Sequence, residues 1–420
     1  MTGRAMDANA HLNLLGNITV LDLTNVLSGP LCTYQMALLG ARVIKVENPK
    51  GGDLARNLGA SGDLNKKQMG ASFLAQNAGK ESICINLKDP QGVELFKRLA
   101  AKADVVVENF RPGVMDRLGL GYEVLSELNP ALILCSISGF GATGPMRENP
   151  AYDQIVQGLS GIMSVTGDPS KDAAPMRAGF PVCDSIGGLT AAFAIVAAIH
   201  SRSLTGKGQA LDVSMLDSSL VTLGWVVSNY LSADVEPQAI GNENMTAAPS
   251  GAFRTGTGML NIAANKQQQF EALCTIIDRP DLARDPRFAE REARKKHRAD
   301  LKREIESALE LNSAEFWENA LNALGVPAGR VLSVPEVLAH QQVEARQLIQ
   351  SFDTTILEDR PLRVTRAGFR SSAGVPSAST PPPTLGQHTT KVLDELGLSE
   401  AEIEALANSG VIQDAPNSSV

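Results

Sequence analysis

Residues 131–153, ALILCSISGFGATGPMRENPAYD, join an apolar strand, a glycine-rich turn and one carboxylate. The run LILCSI at 132–137 is continuous and apolar, which predicts a buried strand of a parallel sheet. The glycines that follow let the backbone approach a neighbour closely. Pro145 and Pro150 interrupt any helix before Asp153, because proline lacks an N–H and clashes with the preceding turn. The stretch therefore predicts a strand whose carboxyl-terminal turn leads to Asp153.

The turn also matches the dinucleotide fingerprint GxGxxG at Gly139, Gly141 and Gly144. A dinucleotide site needs a helix that opens directly from this turn and an acidic residue about 20 positions later. The two prolines exclude that helix. A nicotinamide-dependent enzyme is accordingly the hypothesis that the sequence favours least.

Strands and helices alternate on both sides of this stretch. Apolar runs predict strands at 18–23, 42–46, 82–87, 104–108 and 132–137, and helices are expected at 30–39, 91–102 and 122–128. This order predicts an α/β fold, an open and mostly parallel sheet with helices on both faces. Ligands bind such sheets beyond the carboxyl ends of the strands. The turns 25–30, 109–113 and 138–145 should meet there.

The domain organisation follows from changes in composition. We predict a large α/β domain at 1–205, a linker at 206–224, a small α+β domain at 225–325 and a segment at 326–420 that returns to the large domain. Helices are expected at about 184–200, capped by Asp184, and in the small domain at 266–278 and 297–323. The apolar run 189–199 predicts a buried helix. Ser399 and Glu402 form a capping box that starts the last helix, which Gly410 ends.

Composition excludes several classes of function. The 420 residues carry a net charge of −8, so nucleic acid is not an expected partner. The longest apolar run is shorter than the roughly 20 residues of a membrane span, and we expect no membrane partner. The five cysteines are scattered without a CxxC pair, which predicts a cytoplasmic protein with no metal site. No motif predicts a bound cofactor.

Asp153 supports two interpretations. It precedes an apolar helix, so it can be a helix cap, which is the commoner role of an aspartate at such a position. It can also be a nucleophile, because a carboxylate at a helix N-terminus is held as the anion and can attack an activated acyl group. Glycine N–H groups of the upstream turn would then hold the oxyanion. The five histidines lie outside the turns, and no Ser–His–Asp order is present.

A second polar group follows the strand DVVVE in VENFRPGVMDRLGLGY. Asn109, Phe110, Arg111 and Arg117 can be a solvated strand end. They can also form a ligand loop in which Phe110 stacks on a base and Arg117 pairs with phosphate. Lys80 can add a second phosphate contact.

Taken together, the sequence resembles the family III CoA-transferases, the group that includes formyl-CoA transferase and carnitine CoA-transferase. The resemblance runs in order through most of the chain. Its segments are VLDLTNVLSGPLCTYQMALLGARVIKVENPKGGD (20–53), NAGKESICINLKDPQG (77–92), ADVVVENFRPGVMDRLGLGYEVL (103–125), NPALILCSISGFGATGP (129–145), PAYDQIVQGLSGIMSVTGDP (150–169) and TGKGQALDVSMLDSSL (205–220).

The resemblance implies a homodimer of two interlocked chains and a CoA thioester as substrate. It implies that Asp153 attacks an acyl-CoA, that a mixed aspartyl anhydride forms, and that a free carboxylic acid then takes over the CoA. The site residues that it implies beside Asp153 are Leu27, Asn48, Lys80, Asn109, Phe110, Arg117, Ser138, Phe140 and Gly141.

Departures from the family pattern bear on the substrate. Leu27 stands where oxalate-using members carry glutamine, Ser138 where they carry lysine, and Asn48 where arginine is frequent. The GGGGQ loop of those members is replaced by GNENMTAAPSG at 241–251. Oxalate or formate is therefore not expected. Residues 51–79 are similar to relatives that handle C4 to C5 dicarboxylates, which suggests succinyl-CoA as donor and a methyl-branched or hydroxy-dicarboxylate as acceptor.

Two alternatives stay open. One is a 2-methylacyl-CoA racemase of the same superfamily, whose members typically carry histidine immediately before the aspartate; here that residue is Tyr152. A racemase also needs acid and base groups on opposite faces of its substrate. The other is a non-catalytic acyl-CoA-binding protein that kept the fold.

Overall fold

A computed structural model describes residues 11–169 and 173–414. Its strands are β1 (Thr19–Asp22), β2 (Arg42–Glu47), β3 (Lys80–Ile85), β4 (Val105–Glu108), β5 (Ile133–Ser138), β6 (Ala210–Ser214), β7 (Ser250–Arg254), β8 (Met259–Ala263), β9 (Ala328–Arg330), β10 (Ile349–Phe352), β11 (Leu362–Thr365) and β12 (Ile412–Gln413).

The helices vary in length from a single turn to more than six turns. They are α1 (Ser28–Leu38), α2 (Gly62–Lys66), α3 (Ala71–Leu74), α4 (Pro90–Ala100), α5 (Val114–Arg117), α6 (Tyr122–Leu128), α7 (Asp153–Leu159), α8 (Ile162–Val165), α9 (Val182–Thr205), α10 (Met215–Thr222), α11 (Gly224–Ala233), α12 (Gln267–Ile276), α13 (Arg291–Lys296), α14 (Arg298–Leu309), α15 (Ala314–Ala323), α16 (Val334–Leu338), α17 (Gln341–Ala345), α18 (Thr389–Glu395) and α19 (Glu400–Asn408).

The chain divides into two compact units. The larger consists of Met1–Ile162, Arg177–Val235 and Arg346–Val420, and the smaller of Met163–Met176 and Glu236–Ala345. The division differs from the sequence prediction at four places. The predicted linker at 206–224 contains β6 and α10 and belongs to the larger unit, and helix α11 also stays with that unit. The smaller unit extends to residue 345, and residues 163–176 join it.

The larger unit is built on a seven-stranded sheet in the order β12-β3-β2-β1-β4-β5-β6. Strands β1 to β6 are parallel to their neighbours, and β12 pairs antiparallel with β3. The predicted parallel sheet is confirmed. Because β1 lies between β2 and β4, the strand order reverses at β1, and the carboxyl ends of β1 and β4 flank the crevice where such sheets bind ligands.

Helices cover both faces of this sheet, as the alternation of side chains along each strand requires. On β1, Leu21 belongs to the apolar core that includes Phe96 of α4 and Leu393 of α18. Val20 points to the other face, where the core includes Met36 of α1 and Ile195 of α9. The apolar side chains on each face of the sheet are therefore covered by helices that pack against them.

Helix α9 departs from the prediction of a buried helix. It is 24 residues long and, by length and composition, apolar enough to cross a membrane, with 33% of the most apolar window buried. Here it packs against α1, α7, α10 and the sheet. Phe193 remains 77% exposed. The helix therefore presents one face to the core of the larger unit and one apolar face outwards.

The smaller unit contains a three-stranded antiparallel sheet in the order β7-β8-β9. Its apolar core joins Phe253 of β7 to Phe270 of α12, Ile305 of α14 and Trp317 of α15. The helix predicted at 297–323 is two helices, because Ser313 caps α15 by accepting the N–H of Phe316.

Candidate active site

A cavity of about 290 Å³ opens in the larger unit at the carboxyl ends of β1, β4 and β5. The turns that were predicted to meet here do so. Five predicted site residues line the cavity: Leu27, Asn109, Phe110, Ser138 and Phe140. The other predicted site residues are not part of the lining: Asn48, Lys80, Arg117, Gly141 and Asp153.

Buried ions hold the turn after β1 in place. Val26 has a φ of 69°, a strained conformation for a β-branched residue. Its N–H donates to Asp53 Oδ1 at 2.9 Å, and Lys45 Nζ donates to the carbonyl of Thr24 at 2.7 Å. Lys45 and Asp53 are themselves an ion pair at 2.9 Å with fully buried side chains. Strain of this kind persists where the surroundings over-determine the backbone, and it is characteristic of functional sites.

Lys80 belongs to this buried group and not to a phosphate site. Its ammonium donates to Asp22 Oδ2 at 2.9 Å, to Thr33 Oγ1 at 2.8 Å and to the carbonyl of Pro30 at 3.1 Å. Burial lowers the pKa of Lys80 to about 8, although Asp22 opposes that shift. Burial would raise the pKa of Asp22, but Lys45 and Lys80 outweigh it and hold that pKa well below its usual range. The structure therefore leaves no N–H group of Lys80 free for the predicted phosphate contact, since its side chain is fully buried and all three N–H groups have acceptors.

The turn after β4 is tied to the turn after β1. Asn109 Oδ1 accepts the backbone N–H of Asn25 at 2.8 Å, and Asn109 Nδ2 donates to the carbonyl of Asn25 at 2.8 Å. Next to it, Glu108 accepts the N–H of Phe110 at 2.7 Å. Burial raises the pKa of Glu108 to about 7. Asn109 thus positions the cavity wall through the backbone, and Phe110 presents its ring to the cavity.

Two side chains accept hydrogen bonds from the backbone of the glycine turn after β5. Ser138 Oγ accepts the N–H of Gly141 at 2.9 Å, and the carboxylate of Asp212 on β6 accepts the N–H of Ala142 at 2.9 Å. The N–H of Gly141 therefore already has an acceptor and is not free for the oxyanion hole that was predicted from the glycines of this turn. Gly139 has a packing role, because a methyl group there would lie 2.2 Å from Cβ of Ala151.

No helix opens from this turn. The next helix in the described chain is α7, which begins at Asp153. The fingerprint at Gly139, Gly141 and Gly144 is therefore not a dinucleotide site, as the prolines predicted.

The Asp153 carboxylate does not cap its own helix. Helix α7 has Tyr152 at its N-cap position and no side-chain cap. Instead, Asp153 Oδ1 accepts the N–H groups of Cys183 at 2.8 Å and Asp184 at 3.3 Å, in the first turn of α9. A 24-residue helix stabilises an anion at this position through its free N–H groups and its dipole. The capping interpretation is wrong for α7, and the predicted cap of α9 by Asp184 is replaced by Asp153.

Gln157 fixes the second oxygen of the same carboxylate. It lies one turn along α7 and is fully buried. Its Nε2 donates to Asp153 Oδ2 at 2.6 Å and to the carbonyl of Phe180 at 3.2 Å, and its Oε1 accepts the N–H of Ala178 at 2.9 Å. Every hydrogen-bonding group of the amide is used. Sequence reasoning missed Gln157, although its i, i+4 spacing from Asp153 could have indicated it.

Asp153 is 7% exposed and lies directly behind the wall that Ala151, Tyr152 and Asp184 form. Asn48 and Arg117 do not line the cavity. Asn48 is exposed and accepts the N–H of Lys50 at 2.8 Å. Arg117 is exposed at the end of α5. Two other arginines, Arg111 and Arg147, do line the cavity.

Within residues 11–169 and 173–414, no three histidine, cysteine, aspartate or glutamate side chains group so as to hold a metal ion. No histidine is among the residues that line the cavity.

The sequence matches the profile of CoA-transferase family III over residues 15–389. This chain belongs to that family. The match covers the six parallel strands β1 to β6, the cavity and the smaller unit. The protein is therefore a CoA-transferase, an enzyme whose substrates are CoA thioesters, and the family expected from the sequence is confirmed.

Relatives with known names agree with this assignment. The CoA-transferase is 37% identical over 413 residues to the succinyl-CoA:glutarate CoA-transferase of Mus musculus, covering 98% of this chain and 93% of that protein. It is 40% identical over 349 residues to the acetyl-CoA:oxalate CoA-transferase of Acetobacter aceti, covering 83% of this chain and 88% of that protein.

A solved structure shares the fold. A CAIB/BAIF family protein from Brucella suis superposes with a TM-score of 0.80 and 35% sequence identity, covering 92% of this chain and all of that one.

Proposed function

We propose that this enzyme moves CoA from succinyl-CoA to a C4 to C5 dicarboxylic acid through a mixed anhydride on Asp153. The observation that carries the proposal is the Asp153 carboxylate. It is nearly buried, it is bound by the first turn of α9 and by Gln157, and it lies directly behind the cavity wall that Tyr152 and Asp184 form. A carboxylate held in one orientation and shielded from water is suited to attack a thioester.

In the first half of the proposed reaction, an oxygen of Asp153 attacks the thioester carbonyl carbon. The carbonyl π electrons move to oxygen, and when they return the C–S bond breaks. The thiolate of CoA leaves with the bonding electrons, and Asp153 is left as a neutral anhydride. The carboxylate of the acceptor acid then attacks the Asp153 carbonyl of that anhydride, succinate leaves as the carboxylate, and a second anhydride joins Asp153 to the acceptor. The thiolate attacks the acceptor's acyl carbon, which forms the new thioester and releases Asp153 as the carboxylate.

The cavity offers groups for the two ends of such a substrate. Arg111 and Arg147 are fixed positive charges on its lining, and guanidinium groups suit phosphates and carboxylates. Phe110 offers an aromatic surface. Asn48 and Arg117 do not line the cavity, and their contact with the nucleotide end of CoA stays a prediction.

The names of two relatives suggest different acceptors, glutarate and oxalate. Leu27 favours the larger acid, because an apolar side chain lines the cavity where oxalate-using members carry glutamine. We therefore rank succinyl-CoA with glutarate or a substituted dicarboxylate first, and oxalate second.

A racemase needs an acid and a base on opposite faces of its substrate. Tyr152 stands before Asp153 where racemases typically carry histidine, and the cavity lining contains no histidine. Transfer is therefore favoured over racemisation.

We further propose a homodimer located in the cytoplasm. The larger unit leaves bulky apolar side chains uncovered, with Phe193 at 77%, Trp225 at 80% and Leu231 at 74% exposure. Large apolar side chains exposed in this number are a sign of a surface that another protein covers. The five cysteines are buried and free, which supports a reducing compartment. Interlocking of the two chains stays a prediction.

The test mixes purified enzyme and succinyl-CoA with single acids: glutarate, itaconate, mesaconate, citramalate, malate and oxalate. We expect a new CoA ester of one dicarboxylate with equimolar succinate, measured by liquid chromatography with mass detection. Borohydride added during turnover should reduce the anhydride and convert Asp153 to homoserine, which peptide mass spectrometry locates. An ester formed without any modification of Asp153 contradicts the mechanism. Deuterium uptake into a 2-methylacyl-CoA without ester exchange supports the racemase.

A further inference from the structure

The Asp184 side chain lines the cavity but has no part in the reaction described so far. Asp184 is the third residue of α9, in the helical turn that donates its N–H groups to Asp153. Two carboxyl groups therefore meet at one helix N-terminus, and the N–H groups of Cys183 and Asp184 both go to Asp153. The N-terminus of α9 thus stabilises the negative charge of Asp153. The Asp184 carboxyl group receives none of these hydrogen bonds.

Among the described residues, the Asp184 carboxyl has no basic partner and accepts no hydrogen bond. Burial, followed by the nearby charge of Asp153, raises the pKa of Asp184 to about 7. A pair of carboxyl groups held in such different surroundings divides into one anion and one neutral acid.

Helix α9 packs against α1, α7, α10, β5 and β6. The ionisable side chains on these elements are Cys32 and Tyr34 on α1, Asp153 on α7, Asp217 on α10, Cys135 on β5 and Asp212 on β6, with Cys183, His200 and Arg202 on α9 itself. The cavity adds Arg111, Arg147 and Tyr152. Of all these groups, Asp153 is the one that changes the pKa of Asp184.

A second polar group on the same wall also lacks a partner. Ser28 begins α1, is 3% exposed and lines the cavity, and its buried Oγ has no hydrogen-bond partner within the described chain. This hydroxyl lies beside Gly187, one helical turn after Asp184, where a methyl group would come within 3.1 Å of it. Buried polar groups are normally satisfied, so an unpartnered hydroxyl at a cavity wall indicates a polar ligand there.

We propose that Asp184 is a further catalytic residue of the transfer, a neutral carboxylic acid that donates a hydrogen bond to the acyl oxygen while Asp153 attacks. This inference rests on the proposed function. Asp153 then supplies the electron pair, and Asp184 stabilises the charge that the pair displaces onto oxygen. The hydroxyl of Ser28 provides a second donor on the same wall.

The proton count balances without any further reactant. Asp153 enters as the anion, and Asp184 enters protonated. As the C–O bond forms, the carbonyl electrons move to the oxygen that Asp184 contacts. When that oxyanion collapses, the C–S bond breaks and CoA leaves as the thiolate with the electron pair. Asp184 keeps its proton, so one negative charge is present before and after the step.

Aspartate and asparagine have the same shape, and the Asn side chain can donate a hydrogen bond at any pH. We therefore compare Asp184→Asn with Asp184→Ala and the wild type, measuring kcat/KM for CoA transfer from about pH 6 to pH 9. The wild type should lose activity as pH rises past about 7, as Asp184 ionises. Asp184→Asn should stay within about tenfold of the wild type at the acid end and lack this alkaline decline. Asp184→Ala should lose about a hundredfold or more throughout, the usual effect of removing one oxyanion donor.

Equal losses in both variants, or an unchanged alkaline decline in Asp184→Asn, overturn the proposal. Circular dichroism and CoA binding by calorimetry establish that each variant is folded. An independent readout uses no turnover: infrared difference spectra of the free enzyme across the same pH range should show a protonated carboxyl band that Asp184→Asn lacks, whereas both proteins keep the band of Glu108. If the wild type transfers CoA to no acid, the proposed function fails. If that band is missing, the role of Asp184 fails even when transfer is normal.

Discussion

Asp153 caps the helix that carries Asp184, and it does so from a different helix. Its Oδ1 accepts the backbone N–H of Asp184 at 3.3 Å as well as that of Cys183 at 2.8 Å. The relationship couples the proposed nucleophile to the long helix α9. It also brings a second carboxyl group into the electrostatic field of the first. Chemistry and local stability therefore depend on the same side chain.

Substitution of Asp153 separates these two contributions. Asp153→Asn should abolish transfer, by about a thousandfold or more, since the amide is not a nucleophile. It still accepts the N–H groups of α9, whereas Asp153→Ala does not and should also lower the free energy of unfolding by about 1 kcal/mol. Turnover assays and urea unfolding measure both effects. Normal CoA binding with no turnover is expected of Asp153→Asn, and retained turnover contradicts the mechanism.

Gln157 should matter for rate more than for binding. Gln157→Leu keeps the approximate shape but removes the donor to Asp153 Oδ2, so only the N–H groups of α9 on Oδ1 still orient the carboxylate. We expect kcat to fall by about 10 to 100-fold with little change in KM, since misorientation of a reacting group has effects of this size. Gln154 lies on the exposed side of α7. Gln154→Leu is therefore the control and should leave steady-state kinetics unchanged.

The close approach at Gly139 can be tested with one methyl group. In Gly139→Ala the new Cβ would fall 2.2 Å from Cβ of Ala151, so one segment has to move. Such overpacking costs about 1 to 3 kcal/mol, and here it would also displace the chain that leads to Asp153. Denaturant unfolding and transfer assays should both be impaired. Gly62→Ala, where a methyl meets nothing within 4 Å, should be unaffected in both.

Glu108 should make stability depend on pH. Burial raises its pKa to about 7 from 4.5, with smaller contributions from Asp116 and Asp212. Because the folded pKa is the higher one, the folded state holds the proton more tightly. This stabilisation is complete below about pH 4.5 and is lost as pH rises through about 7.

Glu108→Gln removes this titration. Between about pH 4.5 and pH 8, the variant should gain stability relative to the wild type by on the order of 3 kcal/mol. Denaturant unfolding at a series of pH values measures the difference. Glu94→Gln, at an exposed position, is the control. A constant difference across the range would show that Glu108 is ionised in the folded protein throughout. The raised pKa of Asp184 also makes the free energy of unfolding fall as pH rises, so Glu108→Gln retains part of the pH dependence of stability.

The proposed dimer predicts a change of mass in solution. Trp225→Glu and Phe193→Glu place charges on the uncovered apolar surface of the larger unit, and light scattering should show monomers. Leu311 is 78% exposed in the smaller unit, and Leu311→Glu should leave the dimer intact. A wild-type protein that elutes as a monomer at micromolar concentration would refute the dimer.

The sheet could be predicted because its strands are continuous apolar runs. The run 132–137 corresponds to β5 at Ile133–Ser138, and 42–46 corresponds to β2 at Arg42–Glu47. The convergence of three turns followed from the parallel topology alone. The capping box of Ser399 and Glu402 was predicted correctly because it depends on residues three apart.

What could not be predicted depends on contacts between distant residues. The residues next to Lys80 in sequence do not indicate whether its side chain is exposed or buried. Its ion pair with Asp22 forms only when β3 and β1 come together in the folded sheet. Asp153 bonds to a helix 30 residues further along the chain. The rise in the pKa of Asp184 arises from that contact, so no local pattern indicates it.

The antiparallel strand β12 has a consequence for synthesis of the protein. Ile412 pairs with Ile85 of β3, so the edge of the sheet is completed from the far end of the chain. While the ribosome is still translating the smaller unit, β3 has emerged with its outer N–H and C=O groups unpaired. An open edge of this kind recruits strands from other chains. Products of premature termination lack β12, and we therefore expect them to aggregate or be degraded by quality-control proteases instead of accumulating as folded, partly active enzyme.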